Sequence, residues 1–313
     1  MSRFNVGHGK VAIISSHAWS PILLMLLSRR WGAALALFAT FPATNAQTSA
    51  PLWELGLGAA AVRLPHYRGS DQAHQWLLPF PYFVYRGEFF KADRDGTRAL
   101  LFNSDRLTLD LSAAATAPTR SRDNAARQGM PDLAPTLELG PNLNITLARG
   151  PAWKLDLRVP VRAAVALQRQ PEFLGWSASP NINLDWRFGD SGGAAGAGGD
   201  GARWNLGLLA GPVFGDGRNH AYFYGVLPQY ASATRPSYRA GGGLAGWGAT
   251  VAVSRRSADT WLGWYVRADS LSGARFADSP LVKTRHNVSA GVAVSWVLKT
   301  SDTRVRVGGN LND

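Results

Sequence analysis

The chain has 313 residues, no cysteine, 12 Trp, 8 Tyr, 34 Gly and a formal charge of +12. Without Cys there is no disulfide scaffold, no thiolate metal site, no thiol nucleophile and no lipidated cysteine. Only 17% of residues are charged while 46% are apolar, and low charge at ordinary hydrophobicity argues against disorder.

Residues 1–46 hold no acidic residue and four basic ones, Arg3, Lys10, Arg29 and Arg30. An apolar run, Trp31 to Phe41, follows the paired arginines. It has the length of a signal-peptide core and is short for a membrane helix. Thr44 and Ala46 are small residues at −3 and −1 of a cleavage site, so cleavage is expected between Ala46 and Gln47. A second start at Met25 would give a leader of ordinary length. The mature chain then begins at 47.

What recurs after 47 is a two-residue period. Leu137, Leu139, Leu143, Ile145 and Leu147 alternate with Glu138, Asn142, Asn144 and Thr146. Trp153, Leu155, Leu157, Val159 and Val161 alternate with Lys154, Asp156, Arg158 and Arg162. Ile182, Leu184, Trp186 and Phe188 alternate with Asn181, Asn183, Asp185 and Arg187. Val288 to Leu298 repeats the pattern. Successive strand side chains point to opposite faces, so each segment has one apolar and one polar side. Strands of soluble sandwiches run about 5–6 residues, whereas several of these reach the ten or so needed to cross a bilayer as tilted strands. Trp53, Trp153, Trp186, Trp204, Trp264 and Trp296 lie near segment ends, where membrane–water interfaces collect aromatics. Backbone groups in lipid must all pair, so the strands must close on themselves. The expected fold is all-β: a closed antiparallel transmembrane β-barrel after a cleaved signal peptide. Its expected segments are 52–62, 75–85, 87–102 (interrupted at 93–96), 105–116, 134–148, 152–168, 179–188, 202–214, 219–226, 239–254, 260–269 and 286–298. That makes about twelve strands, with ten as the alternative because the third and ninth are weakest. The barrel would occupy 47–298, with 299–313 as a short polar tail. Long connections are expected at 63–74, 117–133, 189–201, 227–238 and 270–285.

Several motifs resemble active-site signatures. Gly189-Asp190-Ser191-Gly192-Gly193 fits G-x-S-x-G, but low-complexity Gly/Ala follows it instead of a helix. Gly196–Gly201 and Gly56–Ala61 fit dinucleotide patterns without opening a helix. Asp93-Arg94-Asp95-Gly96 lacks the further oxygen ligands of a calcium loop and reads as a hairpin turn or strand break. His66, His74, His220 and His286 show no metal-ligand spacing. A lipase reading would need His286 to meet Ser289 or Ser295. These patterns point to no catalytic, cofactor or metal residue, and the basic excess is spread along the chain without a nucleic-acid motif. The chemical resource is the polar face: Lys154, Asp156, Arg158, Arg162, Asp185 and Arg187 are expected to line the lumen. Ion-paired they would plug it; unpaired, the basic excess would favour anions.

A series of short motifs appears in one order: Pro65-His66-Tyr67-Arg68-Gly69-Ser70-Asp71, Leu78-Pro79-Phe80-Pro81-Tyr82, Ala92–Gly96, Ser104–Leu107, Ala126–Leu133, Glu138–Pro141, Tyr222–Val226, Arg235–Tyr238 and Asp278–Val282. The sequence thereby resembles the MipA/OmpV family of Gram-negative outer-membrane proteins, named for the MltA-interacting protein. The resemblance implies an outer-membrane barrel in contact with lipid. It also implies a non-enzymatic scaffold that brings a periplasmic lytic transglycosylase and a peptidoglycan synthase together. The alternative function is a small-solute or anion channel through the lumen, and an outer-membrane hydrolase is the third reading.

Overall fold

The computed structural model describes residues 48–86, 90–93, 96–104, 106–188 and 203–307. The expected signal peptide and its cleavage site, Ala46–Gln47, lie outside them, as do the Gly189–Gly193 and Gly196–Gly201 motifs.

The described chain is all-β with one α-helix. Its strands are β1 (Thr48–Pro51), β2 (Trp53–Pro65), β3 (Ala73–Arg86), β4 (Phe90–Asp93), β5 (Gly96–Asn103), β6 (Leu107–Thr116), β7 (Thr136–Arg149), β8 (Trp153–Ala166), β9 (Glu172–Ala178), β10 (Asn181–Phe188), β11 (Arg203–Gly215), β12 (Gly243–Arg256), β13 (Thr260–Ser270), β14 (His286–Thr300) and β15 (Arg304–Val307). The helix α1 spans Gly217–Tyr224. Strands β2 to β14 form one antiparallel sheet of thirteen strands. β10 pairs with β8 as well as with β11, and β9 with β11 as well as with β8. β9 and β10 run in the same direction and both face β8, at Val161–Ala166 and Trp153–Arg158 respectively. They fill one place in the order, broken at Ser179-Pro180.

The boundaries differ from the sequence expectation in four places. Segment 219–226, expected as a strand, is the helix α1. Asp216 accepts a hydrogen bond from the Asn219 N–H and caps it, a local signal that outweighs the weak alternation of Tyr222, Phe223 and Tyr224. Segment 87–102 is two strands: Asp93 pairs with Gly96, making the acidic motif a hairpin tip. Residues 172–178, omitted from the expectation, form β9. The expected polar tail carries β15, which pairs with β1 beside the main sheet.

The sheet is inside out relative to a soluble one. On β8 the polar positions Lys154, Asp156 and Arg162 are buried, while Leu155, Leu157 and Val159 are only half-buried and Val161 is exposed. On β10 Asn181 and Asn183 are buried while Ile182, Trp186 and Phe188 are exposed. The burying face is called inner below and the other outer.

The buried apolar cluster lies elsewhere, at one end of the sheet. Residues 66–72, 117–135, 216–242 and 271–285 all connect strands at that end. They contribute Tyr67, Ala126, Leu133, Tyr224, Val226, Leu271, Phe276 and Leu281 to a single core. β1 and β15, and the short connections between β5 and β6, β7 and β8, and β12 and β13, lie at the opposite end.

Candidate functional site: a charged interior beneath a packed cap

The inner face of β6, β7, β8 and β10 is a continuous polar network. Register places Asp110 opposite Asn142, Asn144 opposite Arg158, and Asp185 opposite Lys154. Lys154 Nζ lies 3.2 Å from Asp156, whose other oxygen is 3.8 Å from Arg158. Arg158 also meets Asp185 at 3.0 Å. Thr146 donates to Asp156 at 3.1 Å and Asn183 donates to Asp185 at 2.6 Å. Asn142 and Asn144 donate to the two oxygens of Asp110. Arg162 sits nearer the cap and donates to Ser112 at 3.0 Å. Arg187 lies on the same face of β10, four residues beyond Asn183, and has its own interaction partner. Thus four of the six expected lining residues, Lys154, Asp156, Arg158 and Asp185, form one ion-paired group. Arg162 and Arg187 flank it along the strands.

Two further charge clusters each join residues far apart in sequence, although Arg267 and Asp269 are neighbours on one face of β13. Glu54 accepts from Arg86 and Arg256, each at 2.7 Å, near the end that carries β1 and β15. Asp269 is held by Arg267 at 2.7 Å and Arg68 at 3.0 Å, just under the cap. Arg86, Arg256 and Arg267 bind by charge-assisted hydrogen bonds, which fix side chains most firmly; Arg68 adds an ion-pair contact.

The cap is pinned loop to loop. Tyr224 stacks on Phe276 with centroids 3.5 Å apart and donates to the Arg68 carbonyl at 2.9 Å. Tyr67 donates to the Leu281 carbonyl at 2.7 Å, and Asn287 donates to the Ser70 carbonyl at 2.7 Å. Arg127 is buried and donates to the carbonyls of Phe223 and Pro131. Arg235 donates to those of Ala126 and Gln128. Arginine suits this role because its fork satisfies several carbonyls at once. The segments Tyr222–Val226, Arg235–Tyr238 and Asp278–Val282, legible only as motifs in the sequence, are therefore the seams of the cap.

His220 is a buried titratable residue of the cap. Its Nδ1 is 2.7 Å from the Gly241 carbonyl, and its Nε2 is buried without a hydrogen-bond partner. Its ring meets Tyr224 and Phe276 edge-on. Burial holds its pKa below the ordinary value; the Gly241 hydrogen bond opposes this and the Arg68 charge adds to it. His66, packed on His74 with centroids 4.1 Å apart, is lowered too, first by burial and then by His74. Burial pushes the Tyr67 hydroxyl up to about 12. The folded cap keeps His220 neutral, whereas the unfolded chain takes up a proton near pH 6.5. As pH falls below that value the unfolded state binds more protons, so the cap loses stability; above it this contribution is complete. Proteolytic cleavage within 216–242 is expected to accelerate between pH 7.5 and 5. His220→Gln is expected to flatten that dependence, and an unchanged slope would remove His220 as its source.

The hydrolase geometry is not formed. Ser289 and Ser295 are buried on the inner face of β14, while His286 is exposed and, by parity along the strand, on the other face. Among the described residues no group of three His, Asp or Glu could hold a metal ion.

The family model described as "MltA-interacting protein MipA" matches residues 57–298. No curated protein matches the chain. Among solved structures, a chain described as a bacterial polysaccharide outer membrane secretin is similar at 8% identity and a TM-score of 0.35, covering 80% of this chain and 99% of that one. A TM-score that low carries no structural argument. The family match spans the whole strand order from β2 to β14, and the chain belongs to the MipA family.

Proposed function

We propose that the chain is a closed transmembrane β-barrel of the outer membrane, with a stoppered lumen, that serves as a non-enzymatic interaction scaffold for murein-remodelling enzymes. The observation that carries this reading is the pairing of the interior charges. Lys154, Arg158, Arg267, Arg68, Arg86 and Arg256 each contact a carboxylate, and the cap packs an apolar core over one mouth. A conduit for anions needs basic groups that exchange water for solute. Paired guanidinium groups are already committed.

The membrane reading draws support from the outer face. Trp186, Phe188, Trp204 and Trp264 form a run of touching rings toward the end that carries β1 and β15. Phe173, Trp176, Phe214 and Trp247 are exposed toward the cap. From Trp247 to Arg255, which pairs with Trp204, is eight residues of β12. That is about 27 Å along the strand at about 3.4 Å per residue. Allowing for tilt, it approaches the apolar band of about 25 Å between aromatic girdles. β1, β15 and the short connections then face the periplasm, where the family's namesake partner, a lytic transglycosylase, would meet them. A peptidoglycan synthase is the second proposed partner.

Two measurements test the proposal. Reconstituted in planar bilayers, the protein is expected to be electrically silent; steady anion-selective conductance would favour the channel. Immobilised protein is expected to enrich MltA-type transglycosylase from periplasmic extract over an unrelated barrel. Equal recovery on both would sink the scaffold.

A further inference from the structure

One place in the strand order is much shorter than its neighbours. The β4–β5 hairpin turns back after four residues, at Asp93–Gly96, whereas β3 has fourteen residues and β6 ten. β3 pairs with β4 only at Tyr85 and Arg86. Among the described residues, its edge from Ala73 to Val84 on that side meets no strand, and neither does the edge of β6 from Ser112 to Thr116. At the hairpin, β3 and β6 are separated by two strands, about 14 Å at about 4.8 Å per spacing. The wall thus has a notch that runs along most of β3 and the cap-side half of β6, bounded above where His74 meets Thr119 at 3.4 Å.

The sequence of β3 is adapted to an open edge. Arg86 donates its N–H toward β2, to the Leu52 carbonyl. By strand alternation, the donors of Phe83, Leu77 and the positions of Pro79 and Pro81 would face the notch. Proline has no N–H, so two of the donors that would invite strand addition are removed there. Water and headgroups can reach the remaining backbone groups only at the end of the notch nearest the cap.

The inner face behind the notch is unlike the rest of the interior. Register puts His74, Trp76, Leu78, Phe80 and Tyr82 on the inner face of β3, opposite Leu64, Val62, Ala60, Gly58 and Gly56 of β2. Trp76, Leu78 and Phe80 are apolar where β8 carries charge. Leu78 is 45% exposed, whereas Asp156 across the interior is 1% exposed. Phe80 lies over Gly58, where a Cβ would run into its ring, so the glycine makes room for it. On the outer side of the same edge, Leu77 is 76% exposed and faces the apolar band.

We propose that the notch between β3 and β6 admits an acyl chain of a membrane lipid, which lies against Trp76, Leu78 and Phe80 on the inner face. This rests on the transmembrane barrel reading. Hydrocarbon is the chemistry that fits the β3 side of the notch: Leu77 on the outer lip and Trp76, Leu78 and Phe80 behind it are all uncharged, and transfer of a chain from bilayer to groove leaves no polar group unpaired on the ligand. A second copy pairing along β3 is the competing occupant, and the prolines oppose it.

The test uses full-length mature protein in vesicles containing phosphatidylethanolamine with a photoreactive diazirine on one acyl chain. Cross-linked residues are mapped by mass spectrometry. Labelling is expected at Leu78 and Phe80 of the inner face as well as at Leu57 and Leu77 of the outer. Leu78→Glu is expected to cut labelling at Phe80 at least fivefold and to leave Leu57 unchanged, which also reports that the variant is folded. Outer labelling without inner labelling overturns the lipid site and leaves the barrel standing. Absence of labelling at Leu57 overturns the barrel itself. Chain-to-chain cross-links through β3 would give the edge to a second copy and overturn the lipid proposal.

Discussion

Asp156→Ala is expected to destabilise the folded protein by about 3–5 kcal/mol, the usual cost of leaving buried charges without their partner. The carboxylate is 1% exposed and stands between Lys154 and Arg158. Its loss leaves a buried ammonium facing a guanidinium, with Asp185 the remaining carboxylate contact of Arg158. Thr146 loses its acceptor as well. Urea unfolding followed by tryptophan fluorescence in lipid vesicles measures the change. Replacing Lys154→Met together with Asp156→Leu removes both charges at similar volume and is expected to recover most of it, because a matched apolar pair has no ion to desolvate. The magnitude also separates the two functional readings. In a wide aqueous channel the same charges would be hydrated, and the exposed pair would contribute about 0–1 kcal/mol. A small loss therefore argues for a water-filled lumen, and a large one for a stopper.

The alternation of Trp153–Val161 against Lys154–Arg162 was enough to place one set of side chains inward and the other outward, because a period of two is a property of the backbone alone. It also brought Lys154, Asp156, Arg158 and Asp185 into one candidate group, since those residues are close in sequence and on adjacent strands. Helix α1 was misread as a strand because its eight residues are aromatic-rich, and the signal that decides them is one capping carboxylate, Asp216. The Glu54–Arg86–Arg256 and Arg68–Arg267–Asp269 clusters were invisible for a different reason. Arg86 and Arg256 reach Glu54, and Arg68 reaches the Arg267–Asp269 pair of β13, only through the strand order and the loop between β2 and β3, which nothing in local spacing specifies. The notch is half legible: the Asp93–Gly96 turn shows in the sequence, but the consequence of a four-residue strand appears only when its neighbours' lengths are set beside it.

Val251→Arg tests the outer face. Val251 is in the middle of β12, exposed, and flanked by Leu208 on β11 and Val266 on β13. On a water-facing sheet, an exposed valine exchanged for arginine changes stability by no more than about 0.5 kcal/mol. At the midplane of a bilayer the same exchange costs about 2–4 kcal/mol, falling to about 0–1 near the interface. The native distribution already follows that profile. Arg255 lies on the same face of β12 but at its end, over the Trp204 ring at 5.8 Å, and Arg63 lies on the outer face near the cap end of β2. The expected result is a loss of about 2–4 kcal/mol for Val251→Arg in vesicles, against under about 1 kcal/mol for Leu298→Arg near the end of β14. The comparison is sharper than either variant alone, since Leu298 is the more exposed of the two and solvent exposure by itself predicts no such difference. Equal and small effects would mean that the outer face meets water rather than lipid, and the membrane assignment would fall with it.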